Sequence, residues 1–212
     1  MIQPSCIHPE QYSDQLPIAS KDIPKNLVQR DQSVIWHPYT QAQTAANPIP
    51  IVRGEGAYLI NEQGKMYLDA ISSWWVTTHG HAHPYIAQKV AQQLLTLEHC
   101  IFAGFTHPVA IELAERLLAI TPSNQQKIFY SDNGSTAVEV ALKMCIQYWS
   151  NQGAPRTKVL AFNDAYHGDT FGAMAVSARS AFTNHFDQFL FEVVYIDVPN
   201  KDNIDSLKAQ IS

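Results

Sequence analysis

Gly134, Ser135 and Thr136 follow Ser131-Asp132-Asn133 and open the helix-period run A-V-E-V-A-L-K, directly after the apolar stretch Ile128-Phe129-Tyr130. An apolar run, a small-residue turn and a helical pattern in that order describe a strand–loop–helix unit. The first amides of such a helix have no intrahelical acceptor and lie at the positive end of its dipole, so the turn suits a phosphate group. Gly134 permits close backbone approach, and the Ser135 and Thr136 hydroxyls add donors. The same residues also make an ordinary N-terminal cap, and the segment alone supports either reading. Tyr166-His167-Gly168-Asp169-Thr170 follows a second apolar run. His167 and Asp169 are acid–base candidates there, although hydrogen bonding within the loop and capping of the next helix is the preferred reading. His79, His81 and His83 alternate, so an extended chain would set them on one face as metal ligands would be. A structural turn before Pro84 is the preferred reading, and no metal is expected. Glu139 reads as a solvated or salt-bridged helix position, and Cys145 as a core residue.

These residues need elements to hold them. Residues 1–30 are polar and interrupted by proline, and are expected to form a poorly ordered arm. A segment over 31–75 follows, with aromatic anchors at Trp36 and Tyr39 and a hairpin reading A-Y-L-I, N-E-Q-G, K-M-Y-L-D-A. Residues 76–212 carry alternating short strands and helices. Helices are predicted over Pro84–Leu97, Pro108–Ala119, Ser135–Trp149 and Phe171–Ala178, and strands over Lys127–Tyr130, Lys158–Phe162 and Glu192–Ile196. That alternation indicates an α/β fold with a mostly parallel sheet, in which ligands gather at the carboxyl ends of strands. The Ser131–Thr136 and Asn163–Thr170 loops each follow a strand on this reading, so they are expected side by side. Asn203–Ile211 reads as a helix barely begun, and the chain is expected to stop inside its sheet domain.

Composition removes several classes of function. The 212 residues are 46% hydrophobic and 16% charged, values of a globular protein with a sizeable core. A net charge of −5 without a basic cluster argues against a nucleic-acid partner. No apolar run approaches the roughly 18 residues of a membrane span, and the N-terminus lacks the pattern of a secretory signal. Cys6, Cys100 and Cys145 are odd in number and widely spaced, neither a disulfide framework nor a zinc pattern. A cytoplasmic location is expected.

Four segments together resemble the class III, fold-type I aminotransferases that use pyridoxal 5′-phosphate: W-H-P-Y-T at 36–40, S-S-W-W at 72–75, D-N-G-S-T-A-V-E at 132–139 and Y-H-G-D-T-F-G-A-M at 166–174. The resemblance implies that Gly134 and Ser135 bind the cofactor phosphate, with the Thr136 amide as a third donor. It implies that Tyr166 lies against the cofactor ring and borders the substrate, a task suited to an aromatic face. Trp74, Trp75 and Tyr39 match substrate-contacting positions, an apolar wall for a long keto acid. W-H-P-Y-T and S-S-W-W are narrower motifs. They resemble the branch of biotin biosynthesis in which S-adenosylmethionine donates its amino group to 8-amino-7-oxononanoate. Another class III enzyme acting on an ω-amino acid, or a non-catalytic truncated fragment, is the alternative. A homodimer is implied for the full-length family. The family's Schiff-base lysine lies beyond Tyr166, and none of Lys127, Lys143 and Lys158 stands in its context, so no catalytic residue is assigned and no turnover is expected of this chain alone. Uncovered apolar faces are expected to make it poorly soluble by itself.

Overall fold

The structure is a computed structural model that describes residues 25–211, so most of the arm expected over 1–30 lies outside the described residues. The chain forms two compact units, with the boundary between His107 and Pro108. The first unit opens with helix α1 (Leu27–Val34), which corrects the arm reading for Leu27 to Arg30. A three-stranded antiparallel sheet follows, β1 (Ile51–Glu55), β2 (Tyr58–Asn61) and β3 (Met66–Leu68), in the order β1-β2-β3. The anticipated hairpin is β2–β3, in register Tyr58↔Leu68 and Ile60↔Met66. Its turn is tied by Asn61, whose Oδ1 accepts from the amides of Gln63 (3.1 Å) and Lys65 (2.8 Å), and Gly64 supplies the positive φ of +80°. Ile60 and Asn61 are the buried positions of this sheet.

S-S-W-W does not continue the hairpin. Ser72–Trp75 form a left-handed turn, with φ of 48°, 48°, 63° and 66° at four successive residues that carry side chains. Each such residue costs roughly 1–2 kcal/mol relative to the right-handed form. The cost is offset at Asp69, whose carboxylate accepts from the Ser73 amide (3.0 Å) and hydroxyl (2.8 Å). Helix α2 (Pro84–Leu94) begins with proline in its first turn, where the missing N–H is no loss.

The second unit begins with α3 (Pro108–Ile120). Lys127–Tyr130, expected as a strand, joins no ladder among the described residues, because a strand needs a neighbour as well as an apolar run. Helix α4 (Gly134–Asn151) follows, then β4 (Val159–Phe162), the short helix α5 (Phe171–Ala175), a 3-10 turn (Asn184–Phe189), β5 (Val193–Ile196) and α6 (Ile204–Ile211). β4 and β5 pair in parallel, Val159↔Val193 through Phe162↔Ile196. The core of this unit is α5 and its surroundings: Ala161, Ala173, Met174, Ala175, Val176, Ile196 and Leu207 are buried. Small residues let α5 pack closely, and the Tyr195 hydroxyl lies 2.7 Å and 2.8 Å from the carbonyl oxygens of Ala175 and Ser177, closing its C-terminal end.

The long helices are only partly covered. None of α2, α3 and α4 has a buried residue, and Val90, Leu94, Val109, Leu113, Met144 and Ile146 are exposed. Cys145 is likewise exposed, a correction to its reading as core, since nothing described packs over that face of α4. No helix among the described residues is long and apolar enough to cross a membrane.

Candidate cofactor site

Helix α4 starts at Gly134 because Asn133 caps it. The Asn133 backbone is extended (φ −161°), its side chain accepts from the Thr136 amide at 3.0 Å, and the Thr136 hydroxyl lies 3.2 Å from the Asn133 amide. This reciprocal pair satisfies two of the orphan donors of the first turn. A further bond joins the Thr136 hydroxyl to Ser131 Oγ at 2.7 Å. Thr136 therefore serves the cap, and its amide, expected as a third phosphate donor, is engaged by Asn133. The amides of Gly134 and Ser135 remain, with no acceptor among the described residues. A Cβ placed on Gly134 would meet nothing within 4 Å. The cap reading of the turn holds, and the cap leaves the Gly134 and Ser135 amides, the donors expected for an anion, outside it.

The loop that follows β4 is moored on this turn. Asp169 donates its amide to Ser135 Oγ at 3.1 Å, while its Oδ2 accepts from the Tyr166 hydroxyl at 2.9 Å. Because the Ser135 hydroxyl accepts from Asp169, its own proton is left to donate. Gly168 lies at the point of closest approach: φ is +125°, and a Cβ there would fall 1.8 Å from Ser135 Oγ and 2.9 Å from Ser135 Cα. Only glycine fits. Tyr166 is 64% exposed, so its ring face is accessible, and the bond to Asp169 raises its phenol above the ordinary range.

Glu139 holds the other end of the loop. Its Oε1 accepts from the Gly172 amide at 2.6 Å and the Ala173 amide at 3.1 Å, the first turn of α5. This corrects two sequence readings. Glu139 is not a solvated position, and α5 is capped by Glu139 rather than by His167 or Asp169. The nearby Thr170 hydroxyl and then the two amides hold the Glu139 carboxyl below the usual range, against the opposing effect of burial. His167 takes part through its backbone, whose amide donates to Ser177 Oγ at 2.8 Å. Ser131–Thr136 and Asn163–Thr170 thus lie side by side, as expected, and the bonds of Asp169 to Ser135 and Tyr166 link the two.

Tyr39, Trp74 and Trp75 belong to the first unit. The Tyr39 and Trp74 rings meet edge to face, centroids 5.3 Å apart at 83°, while Trp75 on the same left-handed turn is exposed. Asp69 anchors this turn and is in turn 2.8 Å from His81 Nε2. The Ser73 amide, then its hydroxyl, then His81 hold the Asp69 carboxyl at about 2. His81 also bridges back to Gly56, with the two amide–carbonyl bonds at 2.7 Å and 3.2 Å. It therefore faces Asp69, while the His79 and His83 rings pack against each other at 6.4 Å.

A capped helix N-terminus is thus joined, through Ser135 and Asp169, to a loop that carries an exposed aromatic ring. The chain belongs to the class-III aminotransferase family, whose model matches residues 39–211. It is 52% identical over 165 residues to the adenosylmethionine-8-amino-7-oxononanoate aminotransferase of Synechococcus elongatus, a match covering 78% of this chain and 39% of the relative. The crystal structure of the enzyme of that name from Methanocaldococcus jannaschii superposes with a TM-score of 0.78 at 39% identity, over 82% of this chain and 41% of that one. An omega transaminase from Pseudomonas jessenii, solved in complex with PMP, gives 0.76 at 29% identity over 82% of this chain and 39% of that one. The chain thus spans about two fifths of the relatives it matches.

Proposed function

We propose that this chain supplies the phosphate-and-ring part of a pyridoxal 5′-phosphate site, in a transaminase that moves the amino group of S-adenosylmethionine to 8-amino-7-oxononanoate, giving 7,8-diaminononanoate. The bridge Ser135–Asp169–Tyr166 carries the reading, because it ties the anion cradle to the aromatic ring within one unit. Bound there, the cofactor would supply an electron sink for removing and adding a proton at the carbon that bears nitrogen. The residues of this chain bind and orient it. Gly134 and Ser135 amides and the Ser135 hydroxyl meet the phosphate, and the helix dipole favours its charge. Tyr166 offers its face to the ring, and the bond from its hydroxyl to Asp169 fixes that face. Trp74, Trp75 and Tyr39 form the apolar wall for the keto acid, and a homodimer is the assembly we carry over from the family. The names of the similar relatives, together with W-H-P-Y-T and S-S-W-W, favour this substrate pair over an ω-amino acid.

Titration of the 212-residue chain with pyridoxal 5′-phosphate tests the reading, followed by the cofactor's absorbance and by quenching of protein fluorescence. Saturable binding that Ser135→Ala weakens about tenfold is expected, since a hydrogen bond to a charged group contributes about 1.5–3 kcal/mol, discounted here for the two amides that remain. Equal affinity for pyridoxal, which lacks the phosphate, would refute it.

A further inference from the structure

Glu139 stands on α4 five residues after Gly134, about 7.5 Å along the axis at the rise of an α-helix. Its position could serve a neighbouring ligand or only the fold, and the contacts distinguish these. Thr170, the residue before α5, makes no side-chain cap, so the first amides of α5 depend on Glu139. Gly172 and Ala173 are buried, and neither amide has an acceptor other than Glu139 among the described residues. A Cβ on Gly172 would fall 2.3 Å from Glu139 Oε2, so the chain carries glycine where the carboxylate presses closest. The Tyr166–Thr170 loop is therefore pinned at two points on one helix: Ser135 holds Asp169, and Glu139 holds the start of α5. The anion cradle needs neither pin, because Asn133 and Thr136 form the cap by themselves.

We propose that Glu139 is a positioning residue for the cofactor ring: by binding the Gly172 and Ala173 amides it sets Tyr166 over the Gly134–Ser135 cradle, so that one ligand meets both. The inference rests on the proposed cofactor site. It separates the two halves of that site, since loss of Glu139 frees the ring half and leaves the phosphate half standing. A residue needed only for folding would take both.

The test compares the affinity of the chain for pyridoxal 5′-phosphate and for inorganic phosphate in the wild type, Glu139→Ala and Glu139→Gln. In Glu139→Ala, affinity for pyridoxal 5′-phosphate falls about tenfold or more while that for inorganic phosphate stays within about twofold, the loss being that of the two amide bonds that hold the loop. Glu139→Gln keeps an acceptor oxygen at the same reach, and recovers affinity to within about threefold of the wild type. Equal loss for both ligands in Glu139→Ala, no loss for either, or a Gln variant as weak as the Ala variant would each overturn the proposal. A wild-type chain that binds phosphate but shows no preference for pyridoxal 5′-phosphate would instead overturn the cofactor reading on which it rests.

Discussion

Gly168→Ala is the sharpest perturbation of the site, because backbone and side chain both resist it. At φ +125° the residue occupies a region that L side chains rarely adopt, and the new methyl would lie 1.8 Å from Ser135 Oγ, 2.7 Å from its Cβ and 2.9 Å from its Cα. The last contact is with backbone, so rotating the Ser135 side chain does not relieve it. The strained conformation costs about 1–3 kcal/mol, and lifting the loop to avoid the clash forfeits the bond from the Asp169 amide, about 0.5–1.5 kcal/mol. Together these come to about 2–4 kcal/mol, enough to raise local opening roughly 30- to 1,000-fold. Native-state hydrogen exchange reads this directly: the Asp169, Gly172 and Ala173 amides should exchange faster by that factor, with α4 beyond Glu139 unchanged. Gly153→Ala is the control, since Gly153 also has a positive φ, +67°, but a Cβ there meets nothing within 4 Å. It should leave the loop amides alone. Exchange at Asp169 within threefold of the wild type in Gly168→Ala would refute the claim that this loop is docked on Ser135.

Two further outcomes follow from the same contacts. Asp69 is held at about 2 against an ordinary 3.8, so its carboxylate stabilises the folded unit above that ordinary value and the contribution is lost as the pH falls toward 2. Fluorescence of Trp74 and Trp75 should therefore change over that interval in the wild type and not in Asp69→Asn, and identical acid profiles would count against Asp69 as the anchor of the left-handed turn. Asn133→Ala removes the acceptor for the Thr136 amide and should lower stability by about 0.5–2 kcal/mol in urea unfolding, with phosphate affinity reduced as the first turn frays; a change under about 0.3 kcal/mol would contradict the capping assignment.

How far the sequence reached can be traced through particular residues. The α4 start was legible because capping is local: Asn133, Gly134 and Thr136 are neighbours in the chain. The pairing of the two loops was expected for a reason that holds for only one of them: the Asn163–Thr170 loop follows a paired strand, whereas Lys127–Tyr130 joins no ladder among the described residues and the Ser131–Thr136 turn meets that loop through the Asp169–Ser135 bond. Glu139 was not, since its partners lie 33 and 34 residues away. The sequence carried no signal for it, since Thr170 is an ordinary N-cap residue and only the structure shows that its side chain makes no cap. The left-handed S-S-W-W turn has no local signature at all, as four residues with side chains adopt it only under the hold of Asp69. Lys127–Tyr130 misled because β-branched and aromatic composition reports a half-buried surface, not a partner. The three alternating histidines were read as a structural turn before Pro84, and His81 bridges there to Gly56.

The account stands on one site holding both ends of one ligand, and a competition titration tests that most directly. Pyridoxal 5′-phosphate, pyridoxal and inorganic phosphate are each titrated into the chain and into Tyr166→Ala. Pyridoxal 5′-phosphate should bind more tightly than either fragment and be displaced by phosphate, and Tyr166→Ala should reduce its affinity toward that of inorganic phosphate. Binding of pyridoxal 5′-phosphate that phosphate does not displace, or that Tyr166→Ala leaves unchanged, would contradict it.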